Sequence, residues 1–158
     1  MRLFAIGTLV ALAIFVSTAT STLAAPAKAT AGPYQGKYQG TVISKNGTSA
    51  PLTVTLTHKG NVVAGVATIG QGLKVDTAYC GSANVPSRSE RLSGKTQPGK
   101  PRHLEATSKF TVEGVPVTVR FKSDVSADGK TVKGTTTLDV PFFCGSDPVL
   151  SGTLHKVS

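Results

Sequence analysis

The sequence predicts an all-β protein, an antiparallel up-and-down meander barrel of about eight or nine strands. Charged residues make up 16% of the 158-residue chain, below the roughly 25% usual for globular domains, which disfavours long charged helices. Apolar residues make up 39% and alternate with polar ones, the period of strands with one buried face. Short connections between these segments favour a meander barrel, and a β-sandwich is the alternative.

The first segment has the pattern of a secretory signal peptide. Arg2 provides a positive charge, and an apolar stretch then runs from Leu3 to Val16. Small residues favour cleavage after Ala27, with Ala24 and Ala29 as alternatives. The apolar stretch is shorter than the about 20 residues that span a bilayer as a helix.

This pattern divides the chain into a signal peptide at 1–27, a flexible linker at 28–33 and a single barrel domain at 34–158. We expect a secreted or periplasmic protein without stable insertion into a membrane. Cleavage takes away one of the 17 basic residues and none of the 8 acidic ones, so the mature domain is basic in its own right.

Segments with period 2 follow one another through the rest of the chain. Phe110 and Phe121 each extend an apolar face and are predicted to fill the core. Gly-containing hairpin turns separate several of the segments, as at Asn46-Gly47 and Asp128-Gly129. The segments run from Tyr38 to Ile43, Leu52 to Thr57, Leu73 to Tyr79, Leu104 to Val112, Val115 to Phe121, Val132 to Val140 and Leu150 to Leu154.

An apolar residue two places before a glycine recurs along the chain, as at Val63/Gly65 and Leu92/Gly94. Glycine inside a strand marks a bend or a close backbone approach, which a small closed barrel needs. Inward-facing small residues also leave room for a ligand or let the barrel close tightly. The candidates are Gly40, Gly65, Ala67, Ala106 and Gly134.

The longest irregular stretches are predicted at 81–89 and 95–101, where a function carried by loops is expected. Five cations lie in and around them, with only Glu90 opposing: Arg88, Arg91, Lys95, Lys100 and Arg102. They are candidates for binding an anionic surface polymer, and the alternative is that they keep the protein soluble. Nucleic acid is an unlikely partner, because no aromatic residues are interleaved for base stacking.

The two cysteines, Cys80 and Cys144, both precede Gly-Ser and are predicted to form one disulfide in an oxidising compartment. A reactive thiol is the alternative, but no further part of a catalytic cysteine motif follows. Phe142 and Phe143 precede Cys144, and adjacent rings of a regular strand point to opposite faces. One ring is therefore a candidate anchor for a ligand or partner.

The chain contains no recognisable catalytic, metal-binding or cofactor-binding motif. There is no Gly-x-Ser-x-Gly elbow, phosphate-binding loop or EF-hand loop. His103 and Glu105 share a strand face as a possible metal pair, but nothing else in the sequence completes a ligand set. We predict a protein that is not an enzyme and has no metal or cofactor.

A secreted meander barrel that opens with Gly36-Lys37-Tyr38 resembles the calycin group of lipocalins, avidins and small bacterial barrel proteins. In that group Gly-x-Trp often marks the first strand, and Tyr38 stands here in the place of the tryptophan. The resemblance implies the barrel architecture alone and carries over no binding residue. Apart from it, we name Tyr38 beside Phe142 and Phe143 as candidates for ligand or partner binding.

Together these observations predict an exported, non-enzymatic binding protein. It holds a small ligand in the barrel mouth or docks a secreted or surface macromolecule through its loops. The alternative is an inhibitor of an extracellular or periplasmic hydrolase, which presents the stretches 81–89 and 95–101 to a secreted enzyme.

Overall fold

A computed structural model describes residues 31–112 and 114–158, which form a closed barrel and one small additional sheet. The barrel order is β1-β10-β9-β8-β7-β6-β3-β2, and β2 pairs with β1 to close it. The strands are β1 Gly36–Ser44, β2 Ser49–Lys59, β3 Val62–Ile69, β4 Lys74–Thr77, β5 Gly81–Asn84, β6 Arg88–Gln97, β7 Lys100–Val112, β8 Val115–Val125, β9 Thr131–Asp139 and β10 Val149–Lys156.

Every barrel strand is antiparallel to both of its neighbours, and neighbours in the barrel follow one another along the chain apart from one excursion. That excursion, between β3 and β6, forms the separate hairpin β4–β5. The predicted meander barrel is therefore confirmed, with eight strands. Helical structure in the described ranges is limited to a 3-10 turn at Phe142–Cys144, so they contain no helix long and apolar enough to cross a membrane. The predicted signal peptide lies outside these ranges.

Two of the irregular stretches predicted from the sequence are wrong. Residues 81–84 form β5, and 95–101 close a tight hairpin between β6 and β7. The sequence of β6 is polar, but its backbone pairs with β3 from Arg88 to Lys95 and with β7 from Ser93 to Gln97. Pairing within a closed barrel has overridden the loop-like composition.

The segment from Leu73 to Tyr79 is not a barrel strand. Leu73 and Val75 are buried, but the chain turns after Thr77 and leaves the side chain of Tyr79 81% exposed. The predicted shared face of these three residues is therefore wrong for Tyr79.

One end of the barrel, here the plugged end, is where β2, β6, β8 and β10 finish. Tyr34 enters this end from the N-terminal side and is fully buried. Its hydroxyl lies 2.7 Å from the carbonyl oxygens of both Arg102 and Ser123, and it donates to one of them at a time. The Tyr34 backbone N–H donates to Nδ1 of the buried His58. These contacts hold Tyr34 in place, and its side chain closes this end of the barrel.

The predicted close approaches at strand glycines are confirmed. A Cβ atom on Gly65 would lie 1.9 Å from the carbonyl oxygen of Thr55, and one on Gly40 would lie 2.1 Å from that of Thr153. Neighbouring strands therefore come closer at these points than any side chain permits. Phe110 and Phe121 pack against the core, as predicted.

Candidate functional site

The barrel interior contains a cavity of about 110 Å³ towards the end opposite the plug, here the lid end. Its walls are the inward faces of the strands, and most of the lining side chains are apolar. This volume is below the about 150 Å³ of an apolar cavity known to admit benzene, so the space suits only a very small apolar molecule. The lining includes Val54, Ala67, Leu92, Phe110, Phe121 and Leu138.

An ion pair stands at one side of this cavity. Arg88 and Glu90 lie two residues apart on β6, so both side chains point inward. Arg88 Nε donates to Glu90 Oε1 at 2.7 Å, and Arg88 Nη1 donates to the carbonyl oxygen of Thr111 at 2.9 Å. The guanidinium also lies 4.7 Å from the centre of the Phe110 ring. The paired charges cancel, so the cavity has a polar but neutral corner.

A lid, defined as residues 70–87 with the hairpin β4–β5, covers the lid end of the barrel. Its apolar residues Leu73, Val75 and Val85 are buried in one cluster with Val42 and Leu150 of the barrel. Leu73 and Val85 also line the cavity, and Val85 N–H donates to the Leu73 carbonyl oxygen at 2.9 Å. The lid therefore forms part of the cavity wall.

Polar contacts fasten the same lid to the β1–β2 turn. Asn46 Nδ2 donates to Asp76 Oδ2 at 2.9 Å, and the Thr48 hydroxyl donates to the Lys74 carbonyl oxygen, also at 2.9 Å. Hydrogen bonds from Ser82 and Asn46 hold the pKa of Asp76 below its usual value. The carboxylate therefore stays ionised and keeps both contacts.

The cysteines clamp the lid. Cys80, at the lid tip, and Cys144, in the 3-10 turn between β9 and β10, lie at disulfide distance with Cα atoms 4.8 Å apart. The predicted pairing is confirmed. The Tyr79 backbone N–H adds a hydrogen bond to the Cys144 carbonyl oxygen at 3.1 Å. The lid is thus joined to the connection between two barrel strands.

Three exposed aromatic side chains surround this clamp, and we call them the aromatic ridge: Tyr79, Phe142 and Phe143. Their exposed fractions are 81%, 93% and 60%. The Phe142 and Phe143 rings meet edge to face, with centres 6.0 Å apart. Both predicted phenylalanine anchors are therefore at the surface, where the disulfide fixes the backbone beneath them.

The five cations of the predicted basic cluster divide into two sets, because Arg88 and Arg91 lie apart from Lys95, Lys100 and Arg102, which stay together at the plugged end. Arg88 points into the barrel and pairs with Glu90, whereas Arg91 lies exposed on the outer wall. Lys95 lies seven residues beyond Arg88 on β6, about 23 Å at the rise of an extended strand, and Lys100 and Arg102 lie beyond it. A strand spreads residues that a compact loop would have gathered.

Tyr38 is fully buried at the plugged end and is absent from the cavity wall. Its hydroxyl lies 3.1 Å from the Gly129 carbonyl oxygen, and burial raises its pKa. The structure therefore makes it a core residue, which corrects its candidacy as a ligand contact.

His103 lies on the outer wall between two carboxylates. Its Nδ1 atom is 2.9 Å from Asp124 Oδ1, and its Nε2 atom is 3.8 Å from Glu105 Oε1. Lys122 also reaches Glu105, at 3.4 Å. Within the described residues no group of three or more ligating side chains is arranged to hold a metal ion.

Sequence reasoning missed the lid residues and Glu90. Arg88, Glu90 and Leu92 alternate with serine and arginine, and this period of 2 was the available signal for an inward charged pair. The lid residues Leu73 and Val75 also alternate with polar residues, but nothing local in the sequence shows that this segment leaves the barrel and covers its end.

Comparison with known proteins gives a likeness of fold. No family model matches the chain, and no curated protein matches its sequence. Among solved structures, the redesigned beta barrel mFAP1 bound to DFHBI is 12% identical, with a TM-score of 0.53 over 78% of this chain and 95% of that chain. EF1p2_mFAP2b bound to DFHBI is 13% identical, with a TM-score of 0.51 over 78% and 94%. The redesigned beta barrel b11L5F_LGL is 13% identical, with a TM-score of 0.51 over 80% and 93%. At these identities the likeness shows the barrel fold alone.

Proposed function

We propose that this protein is an exported, non-enzymatic binding protein that holds a small apolar ligand in its barrel. The observation that carries the proposal is the apolar cavity of about 110 Å³ beneath a lid clamped at disulfide distance. A ligand site is typically concave and apolar, with few polar groups. Two of the similar barrels are bound to DFHBI, which supports the use of such an interior for a ligand. A calycin-like architecture fits this use, and the clamp suits an oxidising compartment.

The ion pair of Arg88 and Glu90 limits which kinds of ligand the cavity can hold. Glu90 neutralises Arg88, so a charged ligand group would have to separate the pair or enter an apolar space without a partner. Either is unfavourable, because a charge without a partner is poorly solvated in an apolar space. We therefore expect a neutral molecule, apolar over most of its surface, with at most one hydrogen-bonding group directed at this corner.

A cavity-filling pair of variants tests the site. Ala67 lines the cavity, whereas Ala64 lies on the outer side of the same strand, so leucine at each position adds the same atoms in different places. Fluorobenzene, followed by fluorine NMR, is the probe, and 4-fluorobenzoate is its charged counterpart. We expect Ala67→Leu to weaken fluorobenzene binding at least about tenfold, and Ala64→Leu to leave it unchanged.

Two results would overturn the proposal. One is equal fluorobenzene binding by the two leucine variants, and the other is tighter binding of fluorobenzoate than of fluorobenzene. Native mass spectrometry of protein purified from its own source then tests for a resident ligand. A bare mass under several gentle conditions counts against one.

The aromatic ridge favours a second candidate function, docking to a secreted protein such as a hydrolase that the barrel inhibits. Exposed aromatic side chains on a fixed backbone are typical anchors of protein interfaces. A stable complex buries about 800 Å² on each partner. A pull-down against secreted proteases and lysozymes tests this, with the double variant Phe142→Ser, Phe143→Ser as control. Retention by wild type alone supports the idea, whereas no retained enzyme rules it out.

A further inference from the structure

The plugged end carries cations that the ligand site does not use. On one side, Lys59 ends β2, Lys95 lies near the end of β6, and Lys100 and Arg102 lie at the start of β7. The hairpins β2–β3 and β6–β7 are neighbours, because β3 pairs with β6. All four side chains are exposed.

A second group continues around the same end. Lys37 lies near the start of β1, Lys156 ends β10, and Lys130 and Lys133 lie just before and within the start of β9. These three strands are neighbours in the order β1-β10-β9. We call the two groups together the basic rim; its members come from, or adjoin, six of the eight barrel strands.

Little negative charge offsets the basic rim. None of its eight side chains forms an ion pair within the part of the chain that the structure describes. Three acids lie nearby, and each has another partner: Glu105, opposite Lys95, reaches Lys122 and His103, Asp124 is bonded to His103, and Asp128 accepts from Ser126 in its own turn. The lid end is balanced in comparison. Its charged residues in the described ranges are five cations, Lys45, Lys74, Arg88, Lys109 and Arg120, and four acids, Asp76, Glu90, Asp139 and Asp147.

We propose that the basic rim docks the protein onto an anionic lipid surface, with the lid end facing away from it. A linear polymer would touch one side of a ring that surrounds the barrel end, whereas a plane of phosphate headgroups meets all of it. Each Lys or Arg near such a surface contributes about 1 kcal/mol, a factor of about five in affinity. Seven of the eight rim cations are lysines, which act as point charges without demanding a particular geometry.

The aromatic ridge lies at the other end, so this docking is adsorption to headgroups without insertion of rings. The same separation disfavours single-stranded nucleic acid, whose bases need aromatic side chains beside the cations. Docked in this way, the lid and the cavity beneath it stay accessible to the solvent. The inference is independent of the proposed ligand.

Two matched charge reversals test the proposal. The rim variant is Lys59→Glu, Lys100→Glu, Lys130→Glu, and the control is Lys45→Glu, Arg91→Glu, Lys109→Glu. Both change the net charge equally at exposed positions without ion pairs in the described residues. Binding is measured by co-sedimentation of the purified protein with vesicles of phosphatidylserine and phosphatidylcholine in equal parts. Vesicles of phosphatidylcholine alone serve as the uncharged reference.

We expect wild-type protein to bind the anionic vesicles only. Binding should weaken as the salt concentration rises from 0.01 M to 0.15 M, because the Debye length falls from about 30 Å to about 8 Å. The rim variant loses at least about 100-fold in affinity, because three contributions of about fivefold are removed. The control variant loses less than about fivefold. Circular dichroism verifies folding, and Lys→Gln changes at the same positions give the same ranking if the reversals disturb it.

Three outcomes would overturn the proposal. The first is equal loss by the rim and control variants, since net charge alone would then explain binding. The second is loss of vesicle binding in the Phe142→Ser, Phe143→Ser variant, which would indicate insertion through the lid end. The third is retention on a soluble acidic polysaccharide, such as polygalacturonate, without retention on vesicles.

Discussion

Replacing both cysteines with serine tests what the clamp contributes to stability and to the cavity. Cys80 and Cys144 are 64 residues apart in sequence. On the chain-entropy account, a cross-link that closes a loop of this length stabilises the fold by about 4 kcal/mol, an upper figure because strain in the folded state subtracts from it. We expect the double variant to lose about 3 kcal/mol of unfolding free energy in urea, followed by far-UV circular dichroism.

The structure adds a second, local effect. The clamp joins the lid to the β9–β10 connection and lies outside the barrel's own strand pairing, which remains closed without it. What then holds the lid is the packing of Leu73, Val75 and Val85 and the contacts around Asn46. Lid opening therefore becomes easier than global unfolding. We expect fluorobenzene to leave the double variant at least about tenfold faster than wild type, with little change in affinity.

Hydrogen exchange separates the two effects. Backbone amides of β4 and β5 should lose protection in the variant, while those of β8 and β9 keep protection that follows the global free energy. Reduced wild-type protein is the matched control and should behave like the double serine variant. A stability loss below about 1 kcal/mol, together with unchanged fluorobenzene release, would refute this reasoning.

Three further predictions concern the plugged end, the strand glycines and the outer wall. Burial raises the pKa of Tyr34 to about 12 from a usual value of 10.0, so the folded chain keeps a proton that the unfolded chain loses between these values. The contribution of Tyr34 to the free energy of unfolding is fully present below pH 10 and falls as the pH rises towards 12. Tyr34→Phe should make the free energy of unfolding less dependent on pH in this range. The same variant should lose about 1–2 kcal/mol at pH 7, as measured by urea unfolding. Gly65→Ala should destabilise the fold by more than about 3 kcal/mol, because the new Cβ atom clashes with the Thr55 carbonyl oxygen. Gly152→Ala should cost much less, because its Cβ atom would lie 3.1 Å from the Thr41 carbonyl oxygen. Equal melting temperatures of the two variants would contradict the steric account. His103→Ala should change stability by less than about 1 kcal/mol and leave fluorobenzene binding intact, because its contacts with Asp124 and Glu105 are partly exposed on the outer wall. A larger loss would indicate a role that the geometry does not provide.

Several features could be predicted from the sequence because they depend on neighbours in the chain. Alternation at Leu52, Val54 and Leu56 shows which residues share a face, whichever strands stand beside them. The glycines of the tight turns follow from local backbone geometry, as at Gly47 and Gly129, where φ is positive. Two cysteines in a predicted exported chain leave one pairing to make. These local signals were sufficient for the meander barrel and the disulfide pair.

The polar strand β6 could not be predicted from its own residues. Composition favoured a loop around Arg88 and Lys95, because a strand with so few apolar residues gains little from burial. Its backbone pairs with β3 from Arg88 to Lys95 and with β7 from Ser93 to Gln97, and both partners lie outside the segment. The register with β3 turned Arg88 inward beside Glu90, and the pairing of both strands placed Lys95 towards the far end of the barrel.

The sequence by itself favoured a meander barrel of about eight or nine strands with an apolar interior, and its composition determined the basic balance. The tertiary structure alone decided that Tyr34 plugs one end, that residues 70–87 cover the other, and that lysines distant in sequence form one rim. The physical reason is that side-chain period fixes the face of a residue, whereas closure of the barrel fixes which strand ends meet. The basic rim and the cavity lie at those ends. They form only when the last strand, β10, pairs with the first, β1, and closes the barrel.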